Sequence, residues 1–167
     1  HLVCVGGYAD SRADDPQVAE RVRAESERMR GDWAAYLDWF FSIAFTEPHS
    51  TKQIEDGVGW AAGTDGQTLL KTVAARGILP GFDVSEAMYR KIRCPVLFMH
   101  GDNDQIQPHG RAEAAHAEVS GSEFVTIVGG GHNPLGRYPA KANTLINDFI
   151  DRRLGIIAPA RAPLPRT

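Results

Sequence analysis

Two side chains in this sequence have the type and spacing to form a proton-transfer pair. Asp104 lies in the run His100-Gly101-Asp102-Asn103-Asp104-Gln105-Ile106-Gln107-Pro108, and His132 follows Gly129, Gly130 and Gly131. Each stands just past a short apolar stretch that reads as a strand. A carboxylate placed there can accept the Nδ1–H of an imidazole, fix its tautomer and stabilise the imidazolium. The opposite ring nitrogen can then take a proton from a nucleophile or a water. Acid before base, each at a strand end, makes two of the three groups of a nucleophile–base–acid apparatus. The third is missing. Ser11, Ser26, Ser42, Ser50, Ser85, Ser120 and Ser122 all lack the paired glycines of a G-x-S-x-G elbow. The sequence reads as beginning after the place where the nucleophile would stand.

Each assignment has a plainer competitor. A Gly-x-x-Asp turn after a parallel strand lifts its carboxylate to the C-terminal edge of a sheet, where ligands bind. Asp104 fits that position, and Asp102 competes for it. Either could simply cap the helix that starts near Pro108 or close an Asx turn. His132 could be a surface-loop histidine, although three glycines let its loop pass close to neighbours. His1, His49, His109 and His116 read as ordinary, and His100 as packed under the turn. His100, Asp102, Asp104 and His132 form only a weak metal-ligand pattern, so neither metal nor cofactor is expected. Gly129, Gly131 and Pro134 fail the third glycine of a dinucleotide fingerprint, and no Walker-type lysine follows a glycine cluster.

The elements that must position the pair are legible in outline. Residues 2–5 form a short buried-type strand. Asp15-Pro16 opens a helix with Val18, Val22 and Met29 on one face, which Gly31 stops. Asp32 caps a second helix over residues 33–45. It carries Trp33, Tyr36, Trp39, Phe40, Phe41 and Phe45, a surface wide enough to serve as core, as pocket wall or as both. Ser50-Thr51-Lys52-Gln53 and Thr64-Asp65-Gly66-Gln67 read as capping boxes for two more helices, the second ending at Gly77. Ser85 caps a short helix to Ile92. Residues 95–100 then form a continuous apolar strand, as in a buried parallel sheet. A helix from Pro108 to Val119, a strand over residues 124–128 and a helix opened by Pro139 follow. The fold class is α/β, with parallel strands and crossover helices. Residues 14–92 are too long for an ordinary crossover and read as a helical lid. Residues 1–13 and 93–154 are the core, and the Pro-rich residues 155–167 a linker or tail.

With 43% hydrophobic residues among 167, a packed core is within reach, and a net charge of −3 gives no footprint for nucleic acid or an anionic membrane. No apolar run approaches the ~20 residues of a membrane span. Cys4 and Cys94 lack metal spacing and sit in apolar contexts, so they read as buried thiols in a reducing, cytoplasmic setting.

The run from Arg93-Cys94-Pro95 to Phe149-Ile150 resembles the C-terminal part of an α/β-hydrolase. The similarity is to the branch with haloperoxidase-like enzymes, epoxide hydrolases and enol-lactone hydrolases. It rests on the segment from Cys94 to Pro108, on Gly129-Gly130-Gly131-His132-Asn133-Pro134 and on the helix ending Asn147-Asp148-Phe149-Ile150. The resemblance implies a partial α/β-hydrolase fold with Asp104 as acid and His132 as base. It makes residues 2–7 the strand after the nucleophile helix and residues 14–92 the lid. The family's first strands, oxyanion loop and nucleophile elbow have no counterpart here. The resulting expectation is part of a serine hydrolase for a small ester, lactone or related acyl substrate. Trp33, Phe40, Phe41 and Trp60 would shape an apolar pocket. The N-terminal half, a second chain or self-association would complete it. An aspartate nucleophile would instead mean epoxide hydrolase or dehalogenase chemistry. A different class also fits: a non-catalytic interaction module whose sheet edge and aromatic helix bind a partner.

Overall fold

The computed structural model describes residues 1–6, 16–75 and 86–156. Three parallel strands, β1 (Leu2–Val5), β2 (Val96–Gly101) and β3 (Glu123–Ile127), form one sheet in the order β1-β2-β3. Leu2 pairs with Val96 and Val5 with Met99; across the other side Leu97 pairs with Glu123 and Gly101 with Ile127. As the central strand, β2 is buried along its whole length. That is why its sequence is apolar without alternation.

Period two still sorts its side chains between the faces. On one face Val96 and Phe98 pack with Tyr89, Ala115 and Val119. Ala115 belongs to helix α5 (His109–Glu118), the crossover from β2 to β3. On the other face Met99 and Ile127 pack with Ala142, Leu145 and Ile146 of α7 (Pro139–Leu154). Gly155, at φ +68°, closes α7 in the left-handed conformation that glycine adopts without strain. The sheet is therefore covered on both faces, and its C-terminal edge is left to carry the loops.

Between β1 and β2 lie four helices: α1 (Pro16–Gly31), α2 (Trp33–Ala44), α3 (Thr51–Ala61) and α4 (Gly66–Ala75). A short 3₁₀ segment, Glu86–Lys91, leads into β2. The four helices build their own core from Met29, Tyr36 and Leu37, with Trp33, Phe40, Phe41, Val58 and Leu69 packed around it. Burial pushes the Tyr36 hydroxyl up to about 12, with a smaller contribution from the Glu25 charge. Gly57 is required because a Cβ there would overlap the Phe41 ring. Among the described residues no helix is long and apolar enough to cross a membrane.

Several local expectations change. Asp32 caps α2 as expected, accepting from Ala35 N at 3.0 Å. The cap before α4 is Asp65, which accepts from Thr68 N at 2.8 Å, rather than a box begun by Thr64. Ser50 does not cap α3: its hydroxyl donates to Glu47 O at 2.8 Å and accepts from Arg137 Nε at 3.2 Å. Tertiary partners have taken the oxygen that a capping box would use. Val22 is 41% exposed while Met29 is buried, and the Val18 side chain lies outside the description. Cys94 is exposed and Cys4 only half-buried, because β1 is an edge strand and Cys94 precedes β2. The Asn133-Pro134 pair opens a separate short helix, α6 (Pro134–Arg137), capped by the Asn133 side chain on Gly136 N. Asp15, Gly77, Ser85 and residues 157–167 lie outside the described residues.

Candidate active site

The acid turn begins where β2 ends. Gly101 stands against the base loop so closely that a Cβ would overlap the carbonyl oxygens of Gly130 and Gly131. The two segments are stitched together by Asn103 N donating to Gly130 O at 2.9 Å and Asp102 N donating to Ile127 O at 3.3 Å. The two candidate carboxylates then separate by role. Asp102 Oδ1 accepts from Gly129 N at 2.6 Å and so braces the loop. Asp104 turns inward.

Every acceptor direction of Asp104 is filled. Oδ1 accepts from Ile106 N and Gln107 N, both at 2.8 Å. Oδ2 accepts from His132 Nδ1 at 2.9 Å and lies 3.1 Å from His100 Nε2. The side chain is fully buried, which by itself favours the neutral acid. The bonds from His100 and His132 and the Gln107 N–H outweigh burial and hold the carboxyl well below the usual carboxylate range. Asp104 is therefore an ionised acceptor at neutral pH.

His100, 1% exposed, touches two acceptors through one nitrogen, since Nε2 is also 2.7 Å from Gln107 O. A carbonyl and a carboxylate cannot donate, so Nε2 must carry the proton. Burial works against the charged imidazolium, but the bonds to Asp104 and to the Gln107 carbonyl outweigh it and raise its pKa. The expectation that His100 packs under the turn is met, and the contact makes it a second histidine on the same carboxylate oxygen.

His132 is held from three sides. Its backbone N–H donates to Ala44 O at 2.9 Å, at the end of α2. Its carbonyl packs on Gly6, at φ +59°, where a Cβ would overlap it. Beside it, Gly131 N donates to Glu47 Oε1 at 2.8 Å, and Glu47 is itself buried at 5% exposure. The imidazole remains 27% exposed. With Nδ1–H donated to the ionised Asp104, the lone pair of the neutral ring resides on Nε2. This arrangement can accept a proton at Nε2 and hold the resulting charge against the carboxylate.

The other candidate residues sit elsewhere. Trp33, Phe40 and Phe41 belong to the core of the helical block, where Trp33 stacks on Tyr36 and Phe40 meets Phe41 edge to face. Trp60 is 70% exposed on α3. A concavity of about 260 Å³ between α1 and α2 is lined by Arg28, Gly31, Asp32, Ala35 and Tyr36. His116 and Ser122 also touch, at 2.6 Å, but Ser122 Oγ bonds to the Val119 carbonyl at the end of α5 and serves that turn. The hydroxyls of Ser26 and Ser42 are likewise spent on carbonyls of their own helices. Among the described residues no three His, Cys, Asp or Glu side chains are grouped to hold a metal ion.

Glu47 and the His100 contact escaped the sequence reading. Glu47 stands just past the aromatic helix and before Pro48, with no local mark of a role. Its partner is 84 residues away, so no local spacing could reveal it.

Parallel strands, helices on both faces and an acid and a histidine at one sheet edge define the class: the chain has the C-terminal part of the α/β-hydrolase fold. Solved structures agree. An esterase from Exiguobacterium antarcticum superposes with a TM-score of 0.73 at 22% identity, over 89% of this chain and 56% of that one. A bromoperoxidase from Bacillus anthracis gives 0.73 at 22% identity, over 89% and 57%. Among curated proteins, the serine hydrolase BPHL of Homo sapiens is 31% identical over 72 residues, 43% of this chain and 25% of that protein. The chain thus spans little more than half the length of these solved structures and aligns with a quarter of the curated relative. No protein-family model matches it.

Proposed function

We propose that this chain is the acid-and-base portion of a serine-hydrolase-type enzyme acting on a small ester, lactone or related acyl substrate. The observation that carries the reading is the buried, fully bonded Asp104 carboxylate set 2.9 Å from Nδ1 of a partly exposed His132. The nucleophile comes from residues outside this chain, in keeping with relatives of nearly twice its length. His132 Nε2 takes the hydroxyl proton as the nucleophile's oxygen bonds to the acyl carbon. It returns that proton to the leaving alkoxide as the carbon–oxygen bond breaks. It then takes a proton from water as the water oxygen bonds to the acyl carbon, and gives that proton to the nucleophile's oxygen as the acyl bond breaks and the acid leaves. Asp104 keeps the tautomer and balances the imidazolium. Residues 14–92 act as the lid, with Trp33, Phe40 and Phe41 packed in its core. The free thiols of Cys4 and Cys94 suit a reducing, cytoplasmic setting.

The bromoperoxidase likeness favours one variant, in which the same pair serves haloperoxidase-like chemistry. A p-nitrophenyl ester assay tests the main reading on two proteins, this chain alone and the polypeptide that also carries the upstream coding region. The chain alone gives no turnover, and the longer protein hydrolyses the ester and loses that activity in His132→Ala. Turnover by the longer protein that survives His132→Ala overturns the reading. An upstream region with no elbow serine, together with a stable and inert chain, moves the assignment to an interaction module.

A further inference from the structure

We propose that Glu47 is a positioning residue for His132, acting through the backbone of Gly131 and tying the base to the α2–α3 turn. The proposal rests on the reading of His132 as the base.

The turn after α2 touches both halves of the site. Ala44 O receives the His132 N–H at 2.9 Å, Glu47 Oε1 receives the Gly131 N–H at 2.8 Å, and Thr46 Oγ1 donates to Asn103 O at 3.2 Å. Gly131 leaves no room for a side chain, since a Cβ would stand 2.8 Å from Ala44 O and 2.9 Å from Thr46 Oγ1. The turn is also anchored from beyond the base. Arg137, five residues after His132, donates to Ser50 Oγ at 3.2 Å and to Pro48 O at 3.0 Å. His49 lies between them at φ +63°, a left-handed conformation that a non-glycine residue adopts only when its surroundings demand it.

Glu47 does this at a cost. Its Oε2 is buried and has no hydrogen-bond partner among the described residues. A buried carboxyl oxygen without a donor is unfavourable, and packing alone would be served better by an apolar side chain. What the position requires is the acceptor at Oε1. Without it the Gly131 N–H is buried and unpaired, and the peptide that carries His132 can rotate. The imidazole would then leave the line to Asp104 Oδ2. Glu47 makes no bond to either ring, so its effect on proton transfer is one of geometry. Because it belongs to the turn between two helices of the helical block, movement of that block and alignment of the base are coupled.

The test is NMR on the isotope-labelled full chain, with hydrogen exchange at the Gly131 amide and the low-field Nδ1–H signal of His132. In the unaltered chain the Gly131 amide is protected although it lies in a loop; rapid exchange there overturns the proposal without any variant. Glu47→Ala speeds Gly131 exchange at least about tenfold and broadens the His132 signal, as expected when a buried N–H loses its acceptor. Glu47→Gln keeps a carbonyl at Oε1 and restores both. A folded Glu47→Gln protein that loses the His132 signal, or a Glu47→Ala protein that keeps it, overturns the proposal. In the polypeptide that also carries the nucleophile, Glu47→Ala lowers kcat about tenfold to a hundredfold with KM within about twofold, the pattern of a misplaced base. If His132→Ala in that polypeptide is fully active, the hydrolase reading fails, while the exchange and ring signals still decide the role of Glu47.

Discussion

The acid turn and the base loop lie side by side but are built by opposite means. Asp104 is set by its own neighbourhood: Ile106 N and Gln107 N, two and three residues on, fill Oδ1, and His100, four residues back, reaches Oδ2. His132 is set almost wholly by remote groups, namely Ala44 O, Glu47 Oε1, the Gly6 backbone and Asp104 itself. A turn that satisfies its carboxylate locally can form as soon as β2 ends. A loop held by α2 and β1 acquires its shape only once the helical block is docked. The base is therefore the more fragile half of the pair.

The strongest test of the comparison removes the charge that joins the halves. In the polypeptide proposed to carry the nucleophile, Asp104→Asn should lower kcat by about 10⁴-fold while leaving the fold intact, because an amide can reverse the imidazole tautomer. Melting curves and ester turnover on one preparation check this, and a loss below about tenfold would break the link between the two regions.

Gly101→Ala should damage both regions together. Its Cβ meets two backbone carbonyls of the base loop, which cannot move aside as a side chain can. A destabilisation of about 3 kcal/mol or more is expected in urea unfolding, at the upper end for overpacking.

Gly6→Ala sharpens the contrast, since it touches the base loop alone. The positive φ and the overlap with His132 O should cost about 1–3 kcal/mol. Amide shifts should concentrate at residues 129–132 and spare 104–107. Equal shifts in both segments would show that the acid turn is not self-supporting.

Acid and alkali should act on the two histidine contacts with opposite sign. The Asp104 pKa is lower folded than unfolded, so its stabilisation is present above the ordinary carboxylate range, near pH 4, and fades as pH falls below it. The His100 pKa is raised, so its contribution is complete below about pH 6.5 and is lost as pH rises through the folded value. Chemical unfolding from pH 2 to 9 measures both. Asp104→Asn should flatten the acid limb, and an unchanged acid limb would place that dependence elsewhere.

The smallest effect serves as the control. Asp32→Ala removes the α2 cap on Ala35 N and should cost about 1 kcal/mol. Both the His132 ring signal and Gly131 exchange should stay as they are. A change in either would mean that the far end of α2 already governs the base.

Much of this was legible in the residues. The unbroken apolar run of β2, the Gly-x-x-Asp turn and the three glycines before His132 pointed to a parallel sheet with acid and base at one edge. Asp32 carries a cap signal that its bond to Ala35 N, three residues on, bears out. The failures share a cause. Ser50 has the look of a helix cap, yet Arg137 and the Glu47 carbonyl claim its hydroxyl. Val22 fits the apolar face of α1 by spacing, yet that face is only partly covered.

By itself, the sequence determined the strands, the helical block, the order of Asp104 and His132 after their strands and the backbone freedom their turns demand. Those features rest on periodicity, glycine and contacts a few residues apart. Only the tertiary structure decided that Asp102 braces while Asp104 faces the imidazole. It also decided that His100 shares that carboxylate and that Glu47 grips the base loop. These contacts span up to 84 residues, and a hydrogen bond across such a distance leaves no pattern in the chain until the packed helices bring its two ends together.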